Sequence, residues 1–124
     1  MGRGSYEPGL AVGATSPYNH LKQYIFSSTL APVDNPRVKI VDTDSVELVR
    51  QLKSEEGLDI WLCGGGNLAG QLLGEVDRLI IKSYPVIAGE GVRAFAGNFC
   101  PTQFTVTGRE EFSSGAQVTW CDRA

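Results

Sequence analysis

An apolar run that stops at three consecutive glycines and then restarts at a different spacing constrains this chain more than any other stretch. Leu58-Asp59-Ile60-Trp61-Leu62-Cys63 leads into Gly64-Gly65-Gly66, and Asn67-Leu68-Ala69-Gly70-Gln71-Leu72-Leu73 follows. The order reads as strand, glycine turn, helix. Ile60 to Cys63 lacks the alternation of a half-wetted strand, so it is expected to lie in the middle of a parallel sheet, buried on both faces. Such a strand needs helices above and below it. Leu68, Ala69, Leu72 and Leu73 recur at helical spacing, and a helix that begins there aims unpaired backbone N–H groups back at the turn. Glycines without a Cβ let a diphosphate approach those donors, and the helix dipole favours its charge.

Three glycines are equally compatible with a plain strand-to-helix turn. The pattern Gly64-x-Gly66-x-x-Ala69 also fits a dinucleotide-binding fingerprint that expects an acidic residue about 20 positions further on. Ser83 and Tyr84 occupy that region, which weakens that reading.

The chain has 124 residues, 42% of them hydrophobic and 20% charged, which suits one domain with a modest core. No apolar run approaches a membrane span, and the start lacks a charged-then-apolar leader pattern, so a cytoplasmic location is the default expectation. A formal net charge of -3 without a basic block argues against nucleic acid or an acidic membrane surface as partner. Cys63, Cys100 and Cys121 have no C-x-x-C spacing, and His20 is the only histidine, so neither a metal site nor a disulfide framework is indicated.

From the N-terminus, Met1-Gly2-Arg3-Gly4-Ser5-Tyr6-Glu7 reads as a glycine-rich turn with no strand before it. Its backbone, the Arg3 charge and the Ser5 hydroxyl suit a phosphate, while a frayed terminus is the plain alternative. Pro8 to Pro17 reads as a loop. Gln23 to Ser27 is a strand ending in the hydroxyl cluster Ser27-Ser28-Thr29, where open α/β sheets place ligands. Arg37 to Val41 is a second strand. Asp44-Ser45-Val46-Glu47 resembles a capping box ahead of a helix with Val46, Val49 and Leu52 on one face, closed by Gly57. Leu79 to Tyr84 reads as another buried strand. Gln103 to Thr107, a turn near Gly108, and Ala116 to Cys121 read as an antiparallel edge pair.

Five motifs then occur in one order: Gly2-Arg3-x-Ser5-Tyr6-Glu7; Phe26-Ser27-Ser28-Thr29-Leu30; Ile60-Trp61-Leu62-Cys63-Gly64-Gly65-Gly66-Asn67-Leu68-Ala69; Val76-Asp77-Arg78-Leu79; and Tyr84-Pro85-Val86-Ile87-Ala88-Gly89-Glu90-Gly91. In that order they resemble the dihydrofolate reductase superfamily. The nearer resemblance is to the branch containing the C-terminal reductase domain of the riboflavin-biosynthesis deaminase-reductase, where the Pro-Val-x-x-Gly-x-Gly loop is typical.

The resemblance implies one α/β domain over 1–124, with a dihydrofolate reductase-like three-layer α/β/α fold. Its central sheet would be mixed and mostly parallel, with an antiparallel C-terminal strand pair. The fold would be N-terminally truncated, because the family's first strand, first helix and second strand would precede Met1. The resemblance further implies that NADPH is the cofactor, its diphosphate gripped by Gly2, Arg3 and Ser5 on one side and by Gly64, Gly65, Gly66, Asn67 and Leu68 on the other. Ser27, Ser28 and Thr29 would lie by the adenosine 2′-phosphate. Ser28 replaces a frequent arginine, which makes a preference for NADPH over NADH less secure. The implied chemistry is hydride transfer from the nicotinamide C4 to a pyrimidine- or pteridine-like substrate in a homodimer, with the protein mainly positioning the partners. Dihydrofolate reduction, or nucleotide binding without catalysis, are the alternatives. No catalytic residue is assigned, and no deaminase zinc motif occurs.

Overall fold

The computed structural model describes residues 1–124. They form two compact units, one made of Met1–Leu73 with Arg93–Gly97, the other of Gly74–Val92 with Asn98–Ala124.

In the first unit, Met1-Gly2 runs beside the strand Gln23–Phe26 (β1), with the Phe26 N–H donating to the Met1 carbonyl at 2.9 Å. The chain then turns directly into the helix Arg3–Ala11 (α1). The expected glycine-rich turn is therefore a helix start. Pro8 sits inside α1 and has no N–H to give the Gly4 carbonyl, yet the helix continues for three more residues. It closes at Gly13, whose φ of +79° lets its N–H reach the Leu10 carbonyl at 3.0 Å and the Ala14 N–H reach that of Gly9 at 2.8 Å. Tyr6 is the inward residue of α1. It is fully buried together with Ile25, and these two with Val38 form the core of the unit. The Tyr6 hydroxyl donates to the Thr15 carbonyl, which satisfies its one polar atom.

β1 pairs in parallel with Val38–Val41 (β2), Gln23 opposite Val38 and Phe26 opposite Val41. Two strands alone are marginal, and Tyr6 packing on Ile25 and Val38 supplies what the pair lacks. Gln23 is buried at the start of β1, its amide donating to Ser16 Oγ at 2.7 Å and to the Tyr18 carbonyl at 3.0 Å. The helix Ser45–Ser54 (α2) begins where the capping residue was expected: Asp44 Oδ1 accepts from the Glu47 N–H at 2.9 Å. The helix Gly66–Gln71 (α3) buries Leu68 and Ala69, and Leu72 just beyond it is buried too.

The second unit is a three-stranded antiparallel sheet of Arg78–Ser83 (β3), Phe104–Glu111 (β4) and Gln117–Arg123 (β5), in the order β3-β5-β4. The turn between β4 and β5 falls at Ser113 to Gly115, where Gly115 has φ +82°. It is not at Gly108, as the sequence reading had it. Gly108 lies within β4, beside a register shift, and a Cβ there would be 3.6 Å from the Trp120 ring. Glycine inside a strand here marks a bulge rather than a turn.

Two further expectations are corrected. Ile60 to Cys63 forms no strand, and Ile60 and Trp61 are 50% and 57% exposed. Burial on both faces requires flanking strands to satisfy its backbone groups, and neither sheet offers one. β3 is likewise not buried: Ile80 is 63% exposed. The architecture is mixed α/β with one parallel and one antiparallel sheet, the antiparallel part being a trio of strands rather than a pair.

Candidate functional site

Two helix starts meet in the first unit. Gly2 precedes α1, and Gly65 precedes α3 with φ +89° and ψ +94°, a positive-φ conformation open to glycine and rarely to other residues. Neither start has a side-chain cap. A Cβ placed on Gly65 would stand 3.9 Å from the Gly2 nitrogen and 3.4 Å from Ser5 Oγ, and one on Gly64 3.3 Å from Ser5 Oγ. A Cβ on Gly2 would lie 3.8 Å from the Leu68 Cβ. Gly2 and Ser5 are thus neighbours of Gly64, Gly65 and Leu68, about 60 positions later in the sequence. Uncapped first-turn N–H groups from two helices in one place form a positive, hydrogen-bond-donating surface suited to an anion.

The hydroxyl cluster after β1 joins the same group. Arg3 donates to Thr29 Oγ1 and pairs with Glu7 at 2.6 Å, so the guanidinium bridges α1 and the Ser27-Ser28-Thr29 turn. Ser27 Oγ accepts from the Thr29 and Leu30 N–H groups at 3.2 and 3.1 Å, which shapes that turn. Ser28 is exposed, as is Asn67 at the start of α3.

Gly66 plays a different part from its two neighbours. It is buried, and a Cβ there would fall 2.0 Å from the Arg93 carbonyl oxygen, while one on Gly70 would fall 1.5 Å from that of Ala96. The segment Arg93–Gly97 lies directly on this face of α3, held by the Ala96 N–H donating to the Gly66 carbonyl at 2.8 Å. Gly66 and Gly70 are one helical turn apart because a backbone packs there. Gly64 and Gly65, by contrast, are the pair that faces Ser5.

Just ahead of the glycine turn, Cys63 Sγ donates to the Tyr18 hydroxyl at 3.4 Å, and Tyr18 meets Trp61 edge to face at 4.9 Å. The Cys63 sulfur, hydrogen-bonded to the phenol and by its charge opposing a phenolate, raises the Tyr18 pKa above the ordinary phenol value. Burial lowers that of the Met1 amino group, which donates to the Tyr24 carbonyl at 2.8 Å.

A cavity of about 640 Å³ opens beyond the carboxyl ends of β1 and β2. Phe26, Ser27 and Ser28 line it from β1, Val41, Asp42 and Thr43 from β2, Asp44 to Val46 from the start of α2, and Leu68 and Gln71 from α3. Ligands in parallel α/β sheets settle beyond the carboxyl ends of the strands. Asp42 and Thr43 were not singled out from the sequence. Their signal was positional: they directly follow a strand that runs parallel to the one ending in Ser27.

The family model of the RibD C-terminal domain matches residues 10–118. The chain belongs to that family. RibD C-terminal domains are associated with riboflavin biosynthesis and with reductase activity, and the family's reductases generally use NADPH. Two curated relatives come from Bacillus subtilis (strain 168). The uncharacterized protein YwjB is 26% identical over 120 residues, covering 95% of this chain and 69% of that protein. The uncharacterized protein YyaP is 36% identical over 96 residues, covering 76% of this chain and 50% of that protein. Among solved structures, a protein from Shewanella sp. PV-4, provisionally named for riboflavin biosynthesis, superposes with a TM-score of 0.76 at 23% identity. It covers 100% of this chain, which spans 72% of that one, and it shares the fold. No helix of the chain is long and apolar enough to cross a membrane.

Proposed function

We propose that this chain carries the dinucleotide-binding part of a riboflavin-type reductase with a dihydrofolate reductase-like three-layer fold. The observation that carries the reading is the meeting of the two uncapped helix starts at Gly2 and Gly65, with Ser5 between them. The absence of a Cβ on Gly64 and Gly65 lets the turn's backbone approach the Ser5 hydroxyl, and Arg3 supplies a fixed charge in the same first turn of α1.

In this reading the N–H groups at the starts of α1 and α3, with the Ser5 hydroxyl, hold the diphosphate of a nicotinamide dinucleotide. The cavity beyond β1 and β2 takes its adenosine. Phe26, Val41, Val46 and Leu68 give that cavity apolar walls against a purine, and Ser27, Ser28 and Thr43 give hydroxyls for the ribose. The cofactor supplies a hydride for a pyrimidine- or pteridine-like acceptor, and the chain's contribution is to fix its position. We place the protein in the cytoplasm, as a homodimer.

Purified chain is titrated with NADPH and NADH by fluorescence, then assayed for oxidation of the bound dinucleotide with 5-amino-6-(5-phosphoribosylamino)uracil and with dihydrofolate. Binding followed by oxidation with the uracil substrate is the expected result. Absence of binding by folded chain overturns the reading. Binding without turnover on any such substrate favours a second reading, a nucleotide-binding unit without catalysis, for which the unpaired and exposed stretch at Ile60 and Trp61 speaks.

A further inference from the structure

We propose that Asp42 makes this chain select a dinucleotide whose adenosine ribose bears a free 2′-hydroxyl, so that NADH binds in preference to NADPH. The inference rests on the dinucleotide reading above and names which dinucleotide the cavity fits.

The charge lining of the cavity carries the argument. It contains two carboxylates, Asp42 and Asp44, and no lysine or arginine. One oxygen of Asp44 is engaged at the start of α2, accepting from the Glu47 N–H at 2.9 Å. Asp42 is exposed and follows Val41 at the carboxyl end of β2, next to the β1 end where Ser27 and Ser28 stand. In parallel α/β proteins a carboxylate at the carboxyl end of a strand that borders the dinucleotide site accepts hydrogen bonds from ribose hydroxyls. A 2′-phosphate in the same place requires a cation. Here the neighbouring positions offer the hydroxyls of Ser27, Ser28, Thr43 and Ser45 and the amide of Gln71, all neutral.

The cation in contact with this turn, Arg3, does not line the cavity. It lies against Thr29 Oγ1, Glu7 pairs with it at 2.6 Å, and in the reading above its remaining charge serves the diphosphate. A phosphate dianion brought to Ser28 therefore meets unbalanced negative charge from Asp42, whereas a hydroxyl there gains an acceptor. At the moderate effective dielectric of a half-open cavity, that difference amounts to a factor of about ten or more in affinity.

The test is fluorescence titration of the intact chain, its Asp42→Asn variant and its Asp42→Arg variant with NADH and with NADPH at low ionic strength. Competition by 5′-AMP and by 2′,5′-ADP reports on the adenosine end alone. Thermal melts establish that each exposed-site variant is folded. The expected pattern is NADH at least about tenfold tighter than NADPH in the unaltered chain, a smaller gap in Asp42→Asn, and a reversal in Asp42→Arg. NADPH binding as tightly as NADH, or a ratio unmoved by both variants, overturns the inference and leaves the dinucleotide reading standing. No binding of either dinucleotide overturns both.

Discussion

The Ser5 hydroxyl oxygen lies 3.3 Å from the point at which a Cβ on Gly64 would stand. This places a residue from the first turn of α1 against a turn almost sixty positions later, close enough that a methyl group on Gly64 would be crowded. Gly64 also has φ +60°, where any other L-residue is strained. Gly64→Ala is therefore expected to lower stability by about 1–2 kcal/mol, mostly through that strain. Ser5→Ala in the same chain removes the crowding and leaves the strain. Urea unfolding of the two single variants and the double variant separates the terms, and the account expects the double variant to recover only a minor part of the loss.

Glycines in this chain are expected to differ sharply in what they tolerate. Gly70→Ala puts a methyl group where the Ala96 carbonyl stands, so Arg93–Gly97 must be displaced, at a cost of about 1–3 kcal/mol or more. Gly4→Ala, in the first turn of α1 with nothing within 4 Å of the new Cβ, is expected to raise stability by roughly 0.4–1 kcal/mol. Thermal unfolding midpoints of the two variants should move in opposite directions.

Tyr6 gives a pH signature. Burial raises its pKa above the ordinary phenol value of 10.0. In the unfolded chain the phenol ionises near that value, while in the folded chain it holds its proton to higher pH. Its contribution to stability is thus fully present below about pH 10 and is lost as the pH rises toward the folded pKa. Unfolding followed from pH 8 to 11 is expected to show stability falling above about pH 10, and less steeply in Tyr6→Phe. That variant also loses the hydrogen bond to the Thr15 carbonyl, at a cost of about 1–2 kcal/mol at neutral pH.

Local rules made much of this structure legible. Asp44 caps α2 because a short side-chain oxygen three residues before a backbone N–H is a sufficient signal, and β1, β2 and β5 follow runs rich in β-branched and aromatic residues. Gly2 to Glu7 was not legible as the beginning of a helix, because Pro8 and two glycines argue against one. The apolar run Ile60 to Cys63 was misleading for a plainer reason. Its pattern records a need for strands on both sides, and a strand exists only where neighbours complete its ladder. Gly66 could not be separated from Gly64 and Gly65 in sequence, since what distinguishes it is the Arg93 carbonyl, which lies 27 residues away. Asp42 was passed over because it has no motif of its own and acquires meaning only from the parallel register of β1 and β2.

The central claim is that the glycine turn and the first turn of α1 hold one diphosphate between them. The measurement that bears on it most directly is dinucleotide titration of the chain beside Gly65→Asp, which puts a Cβ 3.4 Å from Ser5 Oγ and a negative charge beyond it, and beside Arg3→Gln, which leaves every glycine in place. Thermal melts of each chain show that it is folded. The account predicts saturable binding by the unaltered chain, its loss in folded Gly65→Asp, and a weakening of about tenfold in Arg3→Gln. Binding of equal strength in all three folded chains would contradict it.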